Sequence, residues 1–144
     1  YTIYEGKKDK VSLKEEIEYL QGYIDLHKIR YQKEVDIRFE TPEETDLQVA
    51  PLLFIVPLEN AFKHGVESLR DGAFIHVSIK TDIQNEKLVF EISNNFEEKE
   101  LESEKGIGLE NLRQRLELLY PDKHQLDIVK GDNEFKITLQ LNML

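Results

Sequence analysis

The chain has 144 residues, 40% hydrophobic and 33% charged, which suits one globular domain with its own core and excludes a disordered segment. A formal net charge of -10 excludes a general nucleic-acid surface and obliges any polyanionic ligand to find a locally positive pocket or a metal. The absence of Cys excludes disulfides and thiolate metal sites.

No apolar run reaches the length of a membrane span, and the start Tyr1-Thr2-Ile3-Tyr4 is not a signal peptide. Because the first residue is not Met, a piece of a longer protein is expected. After a lysine-rich lead at residues 6–10, Ser12 and Glu15 form a Ser-x-x-Glu capping box that predicts a helix start. Leu13, Ile17, Leu20 and Ile24 then recur every three or four residues, so one side of this helix is expected to face a core. His27 and Tyr31 continue the stripe, and His27 is read as packed and hydrogen-bonded rather than as a phosphate acceptor. Val35, Ile37 and Phe39 alternate with Asp36 and Arg38, which predicts a half-buried strand. The acidic residues 40–46, with Pro42, predict a loop, and Leu47 with Val49 a short strand.

Residues 51–65 predict the helix around which the chain is organised, opened by Pro51 and ended by Gly65 in a left-handed C′ position. Leu52, Leu53, Ile55, Val56 and Leu58 suit burial, yet the run closes on Glu59, Asn60, Lys63 and His64. Asn60, Lys63 and His64 stand at i, i+3 and i+4 and share a face, while Glu59 shares a face with Lys63. Two readings stand side by side. One is a hydrated Mg²⁺ with its phosphates, since Mg²⁺ takes few protein ligands; the other is a solvated helix end with a Glu59–Lys63 pair.

Ile75, Val77 and Ile79, then Leu88, Phe90 and Ile92, alternate around a turn at residues 84–86 and predict a hairpin whose second strand ends in Ser93-Asn94-Asn95. Residues 96–105 carry Glu97, Glu98, Glu100, Glu102 and Glu104 and read as a solvated loop. Gly106-Ile107-Gly108-Leu109 leads into a helix with Leu109, Leu112, Leu116 and Leu119 on one face and Pro121 past its end. Such a glycine pair lets a backbone approach a phosphate, but it also serves a plain helix entry. Arg113 and Arg115 are equally surface charges or phosphate ligands. Leu126 and Ile128, a turn at residues 130–133, then Phe135, Ile137, Leu139 and Leu141 predict a second hairpin. The order implies an α+β two-layer α/β sandwich, a mixed sheet with helices on one face.

Glu59-Asn60-Ala61-Phe62-Lys63-His64-Gly65, the strand ending at Asn94, and Gly106-Ile107-Gly108-Leu109 with Asn111 and residues 113–116 together resemble one family. They are similar to the ATP-binding catalytic domain of LytS-like sensor histidine kinases, in the Bergerat-fold superfamily that also holds gyrase and MutL. The likeness spans nearly all of residues 1–144 as one domain, with residues 1–31 as lead and first helix. It implies that Asn60 ligates Mg²⁺ bridging the ATP phosphates, and that Glu59, Lys63 and His64 line the phosphate side. It further implies that Gly106, Ile107, Gly108 and Leu109 form the glycine box against the phosphates, with Arg113 nearby, and that residues 96–105 form a short lid.

Two departures stand out. Asn94 occupies the place of an Asp that accepts from the adenine amino group, which removes a charge from a bond where charge assistance adds about 1 kcal/mol. Glu134-Phe135 replaces a common Gly-Thr pair. The family's phosphoacceptor stretch, Pro-His-Phe-x-Phe-Asn, does not occur, so autophosphorylation by this chain alone is not expected. The resemblance implies a protein-histidine kinase module with ATP and Mg²⁺ as cofactors. Its partners would be a response regulator receiver domain and a second copy joined through helices outside this chain, on the cytoplasmic side of a bacterial inner-membrane protein. The rival is a degenerate nucleotide-binding or dimerisation module without kinase activity. An ATPase clamp of the gyrase sort would need a carboxylate base one turn before Asn60, where Val56 stands.

Overall fold

Strict alternation puts Ile75, Val77 and Ile79 on one face of a strand, and the same alternation in its neighbours gives the sheet one apolar face. In a computed structural model, which describes residues 10–31, 34–98 and 107–143, these become β4 (Ala73–Asp82), β5 (Lys87–Asn95), β6 (His124–Lys130) and β7 (Glu134–Asn142). With β2 (Val35–Glu40) they form a five-stranded sheet in the order β2-β4-β5-β7-β6. Only the β2–β4 pairing is parallel, so the sheet is mixed, as expected. One cross-strand row reads Phe39, Val77, Ile92, Ile137 and Ile128, and the next reads Ile37, Ile75, Asn94 and Phe135. A polar residue therefore sits in an apolar row.

Helix α1 (Leu13–Arg30) opens as the capping box requires, with the Ser12 hydroxyl accepting from the Glu15 N–H at 3.1 Å. Leu13, Leu20 and Ile24 are buried and Ile17 is half-buried. His27 donates from Nδ1 to the Tyr23 carbonyl, 3.1 Å away, and stacks on the Tyr23 ring at 3.9 Å, the packed role expected of it. The short strand expected near Leu47 is β3 (Gln48–Val49), which pairs with β1 (Val11–Ser12).

The central helix departs from expectation at both ends. Helix α2 spans Ile55–Asn60, not 51–65, because Pro57 lacks an N–H and is tolerated only in a first turn. Starting at Pro51 would have placed Pro57 in the interior. Ahead of α2 the chain turns sharply, and Leu52 takes a φ of 61°, a conformation costing a non-glycine residue about 1–2 kcal/mol. Gly65 does not end the helix in a left-handed conformation: its φ is -97°. The helix widens instead into a π turn over Ala61–Gly65, where the Val66 N–H is shared by the Ala61 and Phe62 carbonyls, and tightens into a 3₁₀ turn over Val66–Ser68.

Helix α3 (Ile107–Leu119) buries Leu109, Leu112 and Leu116 as expected. Leu119 is 43% exposed, and Tyr120 takes its place because its hydroxyl accepts the buried Ala50 N–H at 2.9 Å. Phe96, expected in a solvated loop, is buried, with its N–H donated to the Asn133 carbonyl at 3.0 Å. The rest of that loop from residue 99, and Gly106, lie outside the described residues. Tyr120→Phe would strand the Ala50 N–H in the core, at a cost of about 1–3 kcal/mol. Thermal denaturation followed by circular dichroism should show a fall of several degrees in Tm, whereas an unchanged Tm would mean that the bond contributes nothing.

Candidate functional site

Along β5 the core-facing positions are Leu88, Phe90, Ile92 and then Asn94, the last only 3% exposed. An unpaired amide at such a position would be costly. Asn94 donates from Nδ2 to the Asn95 carbonyl at 3.0 Å, which leaves Oδ1 as its acceptor. Asn95 closes the strand end differently, accepting the Phe74 N–H through Oδ1 at 2.9 Å and donating from Nδ2 to the Gly72 carbonyl at 2.8 Å. Nothing in the alternation pattern distinguishes the two asparagines in role except the face on which each falls.

Gly65 explains why the π turn and Asn94 meet. A Cβ at Gly65 would collide with Asn94 Nδ2 and stand 2.9 Å from the Asn95 carbonyl. The glycine thus serves close approach, and the end of the helix lies directly against the end of β5. Ser68 locks the arrangement from the side: its hydroxyl donates to the Gly65 carbonyl at 2.6 Å and accepts the Glu97 N–H at 3.0 Å. This link between helix end and the chain leaving β5 was not foreseen. Its only signal in the sequence is a small hydroxyl residue three positions after the glycine.

On the helix itself Asn60 and His64 are half-buried, whereas Glu59 and Lys63 are exposed. The shared face expected for Asn60, Lys63 and His64 rested on α-helical spacing, and the π turn that begins at Ala61 alters it. At the start of α3, Gly108 faces Val56, with 3.6 Å between Cγ1 and a Cβ placed on the glycine, so Gly108 and the N-terminal part of α2 are neighbours. Arg113 and Asn111 are exposed. Arg115 is committed elsewhere: Nη1 donates to the Leu52 carbonyl at 2.9 Å and Nη2 to the Pro51 carbonyl at 2.8 Å. Among the described residues no group of three His, Cys, Asp or Glu side chains forms a metal cage, so an Mg²⁺ here would depend on an amide such as Asn60 and on phosphate oxygens.

Behind the π turn, Phe62 meets the Tyr23 ring edge-on at 5.6 Å and stacks on Tyr31 at 5.9 Å, while Tyr31 donates to Glu67 at 2.7 Å. Burial, followed by the nearby Glu59 carboxylate, pushes the Tyr23 hydroxyl up to about 12. Burial and then the bond to Glu67 push Tyr31 up as well. A large groove of about 840 Å³ lies at the far end of β4, between residues 40–44 and 78–84, remote from Asn94, which pairs with Ile75.

No protein-family model matches the chain. The sensor histidine kinase BtsS of Escherichia coli is 28% identical over 134 residues, covering 91% of this chain and 24% of BtsS. The sensor protein kinase HptS of Staphylococcus aureus is 28% identical over 104 residues, covering 72% of this chain and 17% of HptS. The chain therefore spans about a quarter or less of the length of these curated relatives. The nucleotide-free catalytic domain of histidine kinase ThkA superposes with a TM-score of 0.64 at 14% identity, covering 92% of this chain and 94% of that domain. ThkA in complex with the response regulator TrrA superposes with a TM-score of 0.63 at 16% identity, covering 94% of this chain and 41% of that one. The chain has the fold of histidine-kinase catalytic domains, and its relatives are sensor histidine kinases.

Gly65→Ala should lose about 1–3 kcal/mol, since the methyl group meets backbone as well as the Asn94 amide; urea unfolding reads it, and a neutral result would show that the π turn can slide. Tyr23 holds its proton more tightly folded than unfolded. The stability that it contributes is complete below pH 10 and is lost as pH rises through about 12. Absorbance titration of tyrosinate should show this delayed ionisation, and Glu59→Gln should bring it to lower pH.

Proposed function

We propose that this chain is the ATP- and Mg²⁺-binding catalytic module of a LytS-like sensor histidine kinase, positioning the γ-phosphoryl for transfer to a histidine outside residues 1–144. The observation that carries the reading is the contact of Gly65 with Asn94. It joins the helix bearing Asn60 to a buried amide whose Nδ2 is already used and whose Oδ1 is left to accept. In this reading Asn94 Oδ1 takes the adenine amino group, and Asn60 ligates the metal. Lys63 and His64 offer positive charge or N–H donors on the phosphate side of a chain whose net charge is -10. Of the glycine box, Ile107, Gly108 and Leu109 present backbone N–H groups at the start of α3, where a helix terminus favours anions. When bound, ATP supplies the phosphoryl group and Mg²⁺ neutralises its developing charge. The chain itself contributes position and a fixed field rather than a nucleophile.

Val56, one turn before Asn60 and against Gly108, offers no carboxylate to activate water, which favours transfer over hydrolysis. The acceptor histidine would lie on a helical stalk that joins two copies, and the phosphoryl group would pass on to a response regulator receiver domain. The regulator partner is supported by the likeness to ThkA, seen in complex with TrrA. No helix among the described residues is long and apolar enough to cross a membrane. We place the module on the cytoplasmic side, where ATP is.

Calorimetric titration of the chain with ATP tests this. With millimolar Mg²⁺, Asn60→Ala should weaken binding at least ten-fold, about 1.4 kcal/mol, and without metal by less than two-fold. Asn94→Asp should tighten binding through a charge-assisted bond while lowering Tm, because it loses the donor now bound to Asn95. No heat at saturating ATP would favour the degenerate dimerisation module instead.

A further inference from the structure

Arg115 is not absorbed by the nucleotide site, although its type suits phosphate. It is half-buried and spends both ends of its fork on consecutive carbonyls, those of Pro51 and Leu52 at 2.8 and 2.9 Å. The same Leu52 donates its N–H at 2.8 Å to Oε1 of Glu16, a residue that is 2% exposed. A carboxylate and a guanidinium therefore hold the N–H and C=O of one residue, through the stronger, charge-assisted kind of hydrogen bond. That residue is the one with a φ of 61°, a conformation that persists only where its surroundings over-determine it. Tyr120 adds a third anchor at Ala50.

The position of this clamp matters more than its strength. Helix α3 packs along α2, with Gly108 against Val56 and Leu109 and Leu112 in the core that Ile55 and Leu58 share, and Arg115 extends the contact to Pro51 and Leu52 ahead of α2. Gly108 and Arg115 stand seven positions apart on α3, about 10 Å along the axis. Val56 lies one turn before Asn60. Apolar packing holds the two helices together but leaves them free to slide, whereas the Arg115 fork fixes the turn ahead of α2 to one position along α3.

We propose that Arg115 is a positioning residue for the phosphate end of the nucleotide site. It fixes α2 and α3 in one register, so that the Asn60 amide on one helix and the backbone N–H groups opening the other converge on the same phosphates. The inference rests on the nucleotide reading above. Without the fork, Leu52 relaxes toward an ordinary φ and the start of α2 swings; a displacement of about 1 Å is enough to cost a site of this kind most of its effect. The adenine end moves less, because Asn94 is paired on both sides through β4 and β7 and its contact with Gly65 lies beyond Asn60, at the opposite end of the helical run from the start that swings.

Arg115→Lys and Arg115→Met, each titrated with Mg·ATP by calorimetry and with adenosine by ligand-observed NMR, separate this from a merely structural role. Arg115→Met should raise the Kd for Mg·ATP at least ten-fold and that for adenosine less than two-fold. Arg115→Lys, with one donor group in place of a fork, should fall between wild type and Arg115→Met. Equal weakening of both ligands in step with Tm, or unchanged Mg·ATP affinity in Arg115→Met, overturns the proposal. If Arg115→Met does not fold, the same comparison in Arg115→Lys decides. A wild-type chain that binds neither ligand removes the nucleotide reading itself, and the role of Arg115 with it.

Discussion

The close approach of Gly65 to the Asn94 amide is the constraint on which the rest of the structure depends. A helix packed on a sheet ordinarily keeps its backbone a side chain's length away. Here the missing Cβ lets the helix backbone rest on a polar side chain in the apolar row of β5. The π turn over Ala61–Gly65 accompanies that approach, and such widened turns recur at functional sites because they re-aim the residues around them. The helical run that carries Asn60 and the end of the central strand at Asn94 thereby meet at one end of the sheet.

Holding that end of the sheet in place falls to polar groups working inside the protein rather than to the apolar core alone. Ser68 bridges the Gly65 carbonyl and the Glu97 N–H. Glu16, Arg115 and Tyr120 satisfy the donors and acceptors of the Ala50–Leu52 turn. A turn with Leu52 in a left-handed conformation cannot hydrogen-bond to itself as a helix would, so each of its groups needs a partner from another element. Helices α1 and α3, distant in sequence, meet there. The aromatic group of Tyr23, His27, Phe62 and Tyr31 does the corresponding work on the other flank, where α1 packs on the π turn.

Most of the sheet was legible from alternation, because burial of one face leaves little freedom of register. The alternation even marks Asn94 as unusual, since it is the polar member of an otherwise apolar series. The first helix was legible from its capping box, and His27 from its place on an apolar stripe. The central helix departs from its expected bounds at both ends for separate reasons. At its start the reason is local, since Pro57 excludes a helix that begins at Pro51. Glycine is common at a helix end, whereas Gly65 serves contact with a strand some thirty residues away in sequence.

Leu119 and Tyr120 compete at the same step of the α3 stripe, and only a partner on another segment, the Ala50 N–H, decides between them. The same holds for Arg115, whose type suits a phosphate or a carbonyl equally until the Pro51–Leu52 turn is seen beneath it. The sequence by itself determined the elements, the faces that they bury and the family that they resemble, because hydrophobic period and short motifs are local properties. Tertiary structure decided which polar groups meet: Gly65 with Asn94, Arg115 with Leu52, and Ser68 with both Gly65 and Glu97. A buried hydrogen bond depends on two partners and the geometry between them, and that geometry exists only once the chain has folded.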